Sequence, residues 1–289
     1  MPRDEAPPPL AARAAAQPGP LGERAPAPGL LGERAPAPDL LGERAAAPDL
    51  LGERAAALDA ELAGADALAI LRRASSDPAF GRVALVSSFG AESVALLHLA
   101  ARVDPALPVL FVDTEMLFPE TLAYQAEVAR ALGLTDLRRV KPARADVFVR
   151  DGDALLHRSD PDACCGLRKI EPLERALAPF DAWITGRKRH QGGARAALPV
   201  VETLDGRLKV NPLAAWTREE VSAYIDRHGL PRHPLLAKGY LSVGCAPCTT
   251  PVREGEDARA GRWRGQDKDE CGIHFENGRA VRGPRRSAA

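Results

Sequence analysis

The sequence predicts an α/β fold, a twisted parallel sheet flanked by helices, and three observations carry that prediction. Short apolar runs recur at Val83-Ala84-Leu85-Val86, Val109-Leu110-Phe111-Val112 and Ala182-Trp183-Ile184-Thr185. Helix-length stretches stand between them, Val94 to Ala101 and Pro119 to Leu132. Each apolar run ends in turn chemistry, at Ser87, Asp113 and Gly186. Strands alternating with helices of this length build a parallel sheet wrapped by helices. Ligands of such sheets sit at the carboxyl ends of the strands, so these three turns are the expected site.

Ahead of the first strand, Leu-Gly-Glu-Arg recurs at Leu21, Leu31, Leu41 and Leu51, a strict period of ten. The unit is too short for the usual helical solenoids, and its prolines interrupt a continuous helix. Residues 1–58 therefore read as a disordered Ala/Pro-rich tail, with a docking role for the repeats as the minority reading. The last copy loses its proline (Ala55-Ala56-Ala57-Leu58), which predicts a helix from there to about Ala74. The α/β domain is expected over 59–243. Within it, Thr217 as N-cap with Glu220 three residues on predicts a further helix. Beyond Gly244 the chain turns to Gly, Arg and Cys without periodicity, so 244–289 reads as a loop-rich arm.

Lys plus Arg and Asp plus Glu are equal at 39 each among 289 residues. That balance argues against a general nucleic-acid or anionic-membrane binder, while allowing a local basic pocket. No apolar run approaches the roughly 18 to 20 residues that cross a bilayer. The N-terminus lacks an apolar signal core, and its scattered Asp and Glu speak against a transit peptide. A cytoplasmic location is the expectation. Five cysteines, an odd number, fit a secreted disulfide framework poorly and point to metal binding or chemistry.

Two patterns bear on that chemistry. Ser87-Ser88-Phe89-Gly90-Ala91-Glu92-Ser93 is a turn between strand and helix, where N–H groups, hydroxyls and the helix dipole suit an anion. It has no lysine, so it is not the common Gly-Lys-Ser/Thr loop, and alone it reads as ordinary capping. The cysteines fall as Cys164-Cys165, Cys245-Ala246-Pro247-Cys248 and Cys271. A vicinal disulfide would need a strained ring. Zinc pairs normally use a spacer of about two to four residues. A cubane iron–sulfur cluster needs four thiolates around a larger centre. Spacing alone leaves zinc and iron–sulfur open.

The flanking residues carry a resemblance. The Ser87–Ser93 turn resembles the modified P-loop of the adenine-nucleotide alpha-hydrolase-like enzymes, and its Phe-Gly-Ala-Glu is closest to the sulfonucleotide reductases among them. Val112-Asp113-Thr114 with Leu117-Phe118-Pro119-Glu120-Thr121 resembles their second strand and following turn. Glu115 stands where that family usually has Gly, which alone tolerates positive φ cheaply. Cys164-Cys165-Gly166-Leu167-Arg168-Lys169 and Gly244-Cys245-Ala246-Pro247-Cys248-Thr249 resemble the two cluster motifs of assimilatory adenylyl-sulfate reductases. The related phosphoadenylyl-sulfate reductases typically lack those four cysteines. Glu270-Cys271-Gly272-Ile273-His274 resembles the catalytic signature of both.

The resemblance covers residues 59–276 and implies a set of roles. Cys164, Cys165, Cys245 and Cys248 would hold a [4Fe-4S] cluster. Cys271 would be the nucleophile, with His274 placed to stabilise its thiolate. Adenosine 5′-phosphosulfate would be held by Ser87, Ser88, Gly90, Glu92, Ser93, Asp113, Thr114, Lys169, Gly186, Arg187, Arg189, Arg259 and Arg262. Arg187 and Arg189 both fit the family's Thr-Gly-x-x-Arg turn. The implied reaction yields sulfite and AMP through an S-sulfocysteine on Cys271, in sulfate assimilation and cysteine biosynthesis. Thioredoxin, or else glutaredoxin, would supply the electrons as a separate protein, because the chain's own Cys-x-x-Cys is assigned to the cluster. The alternatives are a reductase of the 3′-phosphorylated nucleotide or of both nucleotides, a tRNA thiolase-like ATP pyrophosphatase, and a cluster-binding redox sensor. No nucleic-acid or membrane partner is expected, and a homo-oligomer is left open.

Overall fold

The computed structural model describes residues 49–192, 195–266 and 268, and the backbone of 275–276 and 279–280. Cys271, His274 and the repeat copies at Leu21, Leu31 and Leu41 lie outside the described residues.

Two helices precede the sheet where one was expected. The first, α1 (Leu50–Leu62), starts at Asp49, whose carboxylate accepts from the Gly52 N–H. The second, α2 (Ala67–Ser76), starts at Asp66, which accepts from the Ala69 N–H. Between them Gly64 takes φ 81°, which ends the first helix. The last repeat copy is thus helical, and the expected domain start at 59 falls inside α1. Leu58 explains the change. It is buried with Ala55 and Leu62 on one stripe, at a position where the preceding copy carries Pro48.

Six strands follow: β1 (Val83–Ser87), β2 (Val109–Val112), β3 (Leu137–Val140), β4 (Ala182–Ile184), β5 (Val201–Leu204) and β6 (Arg207–Val210). Their order is β3-β2-β1-β4-β6-β5. Five run parallel, as the expected parallel sheet requires, and β5 adds an antiparallel strand beside β6 at one edge. Asp205-Gly206 makes the hairpin, with φ 49° and 70°, the left-handed pair that a two-residue turn demands. The order of connection reverses beside β1, so the crevice opens at the carboxyl ends of β1 and β4.

Side chains alternate across the sheet as its period of two requires. Val83, Leu85, Val109 and Phe111 enter the larger core, with α1, α2, α3 (Ser93–Val103) and α4 (Pro119–Leu132). Ala84, Leu110, Val112 and Trp183 face the other way, against Leu173 and Leu177 of α8 (Glu171–Leu177). Three short helices, α5 (Arg144–Arg150), α6 (Leu156–Ser159) and α7 (Pro161–Cys165), lead into α8. The expected capping box is present at α9 (Arg218–Arg227), where Thr217 Oγ1 accepts from the Glu220 N–H at 3.1 Å and Glu220 accepts from the Thr217 N–H at 2.7 Å. Among the described residues no helix is long and apolar enough to cross a membrane.

Candidate active site

The turn after β1 is held by an unusual residue. Phe89 has φ 49°, donates its N–H to Ser87 Oγ at 3.1 Å, and buries its ring edge-on against Phe111, centroids 5.1 Å apart. That anchor fixes the turn although the conformation favours glycine. Next to it, a Cβ on Gly90 would come within 3.3 Å of the Val243 carbonyl oxygen. Glu92 and Ser93 then open α3, which has no side-chain cap.

Nine of the thirteen expected substrate residues line one cleft here. Ser87, Ser88, Gly90, Glu92 and Ser93 come from the β1 turn, Gly186 and Arg187 from the end of β4, and Arg259 and Arg262 from the C-terminal arm. Lys188, Arg195 and Arg218 join them, so the described wall carries six Lys or Arg side chains against two acids, Glu92 and Asp257. In a chain of zero net charge, that wall is a local concentration of positive charge.

Several of these cations are fixed by partners. Lys188 Nζ is buried and donates to Glu92 Oε2 at 2.8 Å and to the Gly186 carbonyl at 3.0 Å. Burial pushes the Glu92 carboxyl up, but the charges of Lys188 and His190 outweigh it and leave its pKa below the ordinary value. Burial in turn holds the Lys188 ammonium below its usual range, with Glu92 opposing. The Arg262 guanidinium lies 4.2 Å from the Trp263 ring centroid. It runs so close to Gly244 that a Cβ there would meet it at 2.3 Å. Gly261 approaches the Thr250 carbonyl so tightly that a Cβ would lie 2.1 Å from that oxygen. Glycine between the two arm arginines is therefore a packing requirement.

The other four expected substrate residues lie off the cleft wall. Arg189 donates Nε to the Leu198 carbonyl at 2.8 Å, so of the two candidates in that turn Arg187 is the one facing the cleft. Asp113 is buried and bonded to Arg139 Nε at 3.0 Å, which turns its carboxylate toward β3. Thr114 Oγ1 lies 3.2 Å from Cys245 Sγ, and its carbonyl accepts from Arg168 Nη1 at 3.0 Å. Lys169 lines a second, smaller cavity.

That cavity gathers Cys164, Cys165, Cys245 and Cys248. Asp160 caps α7, accepting from the Ala163 N–H at 2.9 Å, and delivers the adjacent cysteines at the helix end. A π-turn, Gly166–Ile170, joins α7 to α8. Pro172 accounts for it: the ring has no N–H for the Arg168 carbonyl and would press on it, so the helix widens before it. The Cys-x-x-Cys segment is pinned to the turn after β2, where the Ala246 N–H donates to the Met116 carbonyl at 2.7 Å. Beneath the cavity, Arg168 and Asp151 form a buried ion pair at 2.8 Å. Arg168, a cation beside the first cysteine pair, is thus committed to the scaffold.

Burial, with the neighbouring thiols, pushes Cys164 up to about 12 and raises Cys248 as well. Four ionised thiolates would need a cationic centre among them. Among the described residues no three His, Cys, Asp or Glu side chains form a group able to hold a metal ion. The four thiols instead ring a shared space. Cleft and cavity are joined through the arm, where the Trp263 N–H donates to the Cys248 carbonyl at 3.0 Å. Lys268, three residues before Cys271, pairs with Asp162 on α7.

Glu115 takes φ 59°, the left-handed conformation that favours glycine. It lies beside Lys141, at 3.2 Å.

Lys188 belongs to the cationic run Arg187-Lys188-Arg189 beyond β4, and Arg195 closes the segment Arg189–Arg195 that continues it, whereas Arg218 and Trp263 carry no motif signal. Residues 82–251 match the phosphoadenosine phosphosulfate reductase domain family. An adenosine 5′-phosphosulfate reductase of Mesorhizobium japonicum is 49% identical over 223 residues, 75% of this chain and 88% of the relative. A phosphoadenosine 5′-phosphosulfate reductase of Gloeobacter violaceus is 43% identical over 201 residues, 67% of this chain and 82% of the relative. The crystal structure of a phosphoadenylyl-sulfate reductase from Candida auris, a phosphate complex, superposes with a TM-score of 0.60 at 30% identity, covering 69% of this chain and 97% of that one.

Proposed function

Because the chain belongs to the phosphoadenosine phosphosulfate reductase domain family, we propose that it reduces adenosine 5′-phosphosulfate to sulfite and AMP in the cytoplasm, with thioredoxin as electron donor. One observation carries the reading: turn residues and basic side chains from three separate segments converge on one cleft at the sheet's switch point. The nucleotide without a 3′-phosphate is favoured by the four clustered cysteines and by the name of the Mesorhizobium relative.

The reaction divides into two displacements. The Cys271 thiolate attacks the sulfur of the phosphosulfate; an S–S bond forms, the S–O bond to phosphate breaks, and AMP leaves. Arg187 and the arm arginines stabilise the charge gathering on the leaving phosphate, and the Ser87–Ser93 turn orients it. A thioredoxin thiolate then attacks the Cys271 sulfur of the S-sulfocysteine and expels sulfite. The second thioredoxin thiol resolves the mixed disulfide, so the dithiol supplies both electrons.

The donor chemistry of the cavity supports a [4Fe-4S] cluster held by Cys164, Cys165, Cys245 and Cys248. They form an all-sulfur set from two segments lining one space, with Lys169 alongside, although no three of the described side chains group to hold a single ion. When bound, the cluster with its four thiolates would supply net negative charge that draws the neighbouring cations into place, rather than a route for electrons. Lys169, which lines the cavity, and Thr114, whose Oγ1 lies 3.2 Å from Cys245 Sγ, would stand beside the cluster.

The test is Cys271→Ser in protein purified without oxygen. Turnover and trapping of labelled sulfur are expected to disappear while the visible absorption and about four irons per chain remain. Turnover that survives the substitution would sink the mechanism, and a colourless zinc-loaded protein would sink the cluster. Specificity constants for the two nucleotides, compared in the same preparation, should favour the one lacking the 3′-phosphate.

A further inference from the structure

Glu202 is not part of the cleft wall, yet its carboxylate is the hub of the groups behind it. It sits on β5, the antiparallel edge strand, directly opposite Lys209 of β6. Its Oε1 is bonded by Arg187 Nη2 and accepts from Asn211 Nδ2 at 3.0 Å. Lys209 Nζ lies 3.8 Å from the same oxygen and 4.7 Å from the ring centroid of Trp183. Asn211, fully buried, in turn accepts from Thr185 Oγ1 at 2.7 Å. Thr185 and Arg187 flank Gly186 at the end of β4, so the network leaves that strand end and returns to it two residues later.

This arrangement answers a physical problem. A guanidinium on a loop beyond a strand has many rotamers, and other cations of the cleft repel it. Glu202 gives Arg187 a counter-charge at a point fixed by strand pairing. Two cations on one carboxylate still leave net positive charge, so the pair holds Arg187 in place without neutralising the site. The buried Lys209 lies behind the pair, 3.8 Å from the same oxygen and against the Trp183 ring, outside the cleft wall.

We propose that Glu202 is a positioning residue, which acts on catalysis only by orienting Arg187 toward the phosphosulfate. The proposal rests on the reading of the cleft as the adenosine 5′-phosphosulfate site. It also gives the β5–β6 hairpin a role beyond closing the sheet, since it carries the hub and Lys209, with Asn211 directly after β6.

The experiment is a double-mutant cycle on steady-state kinetics with adenosine 5′-phosphosulfate and thioredoxin. Glu202→Gln keeps the acceptor for Asn211 but removes the charge. It is expected to lower kcat about 10- to 100-fold, the loss that misorienting a catalytic group brings, with KM changed far less. Arg187→Gln should lose at least as much, and the double variant should be no worse than Arg187→Gln alone. Losses that multiply, or a Glu202→Gln enzyme as active as the parent, overturn the proposal. If Glu202→Gln does not fold, Glu202→Asp, with the charge on a shorter arm, carries the same cycle. A parent protein that fails to turn over the nucleotide refutes the function itself before any variant is read; an active parent with multiplying losses refutes only the role of Glu202.

Discussion

Phe89 and Glu115 bear side chains in backbone conformations that favour glycine, and each lies just beyond a strand of the sheet. Phe89 is held there by a buried aromatic contact, so its strain is offset by packing. The Glu115 N–H donates to Asp113 Oδ1 at 3.0 Å, a bond that glycine would keep, and its side chain adds a partly exposed ion pair with Lys141; such pairs contribute between nothing and about 1 kcal/mol. The left-handed conformation costs a residue with a Cβ on the order of 1–2 kcal/mol. Glu115→Gly should therefore stabilise the protein by about 0.5–1 kcal/mol, read as a higher urea midpoint with unchanged slope. A lower midpoint would mean that the Lys141 pair outweighs the strain. The sequence announced this site through glycine's absence. It could not announce which way Asp113 points, because Arg139, the residue that turns it, lies on a strand without a readable period. Arg187 and Arg189 were equally open, since two residues after a strand the alternation that assigns faces has already ended.

Among the elements, the strands flanking the first two turns were legible because each is a continuous apolar run buried on both sides. The strands β3, β5 and β6 were not: Leu137-Arg138-Arg139-Val140 and Val201-Glu202-Thr203-Leu204 are four-residue, half-polar edges, too short for a pattern to stand out. Only Asp205-Gly206 marked the hairpin. The turn at residues 234–238 adds a pH-sensitive joint. His233 is buried; its Nδ1 accepts from the Leu235 N–H at 3.2 Å, so Nε2 carries the proton and donates to Thr121 Oγ1 at 3.0 Å on α4. Burial pushes its pKa down from 6.5 to about 4, with Glu120 opposing. The unfolded chain thus takes up the proton first as pH falls. The contribution is complete above pH 6.5 and is lost progressively down to about pH 4. Between pH 6.5 and 5 this joint should remove about 1.5 kcal/mol of stability. Denaturation at both pH values checks it, because His233→Gln should flatten that slope, and an unchanged slope would assign it to other groups.

At the scale of the molecule, charge is separated rather than abundant. Lys plus Arg balances Asp plus Glu over the chain, while the cleft gathers six cations and two acids from its described wall. Binding of a compact anion should then weaken with ionic strength more than folding does. KM for adenosine 5′-phosphosulfate is expected to rise several-fold between low salt and about 0.5 M, with the urea midpoint nearly constant. A flat KM would place the recognition in hydrogen bonds instead. The two sides of the sheet also end differently. At β3 the outermost strand exposes Arg138 and Arg139. At the other end Asp59 of α1 accepts the N–H groups of Val200 and Val201, at 2.7 and 3.1 Å, and so occupies hydrogen-bonding capacity at the start of β5. Like charge guards one border and a helix covers the other, so neither offers a neighbouring molecule a bare template for extending the sheet. The repeat copy that lost its proline has thereby become a safeguard against aggregation.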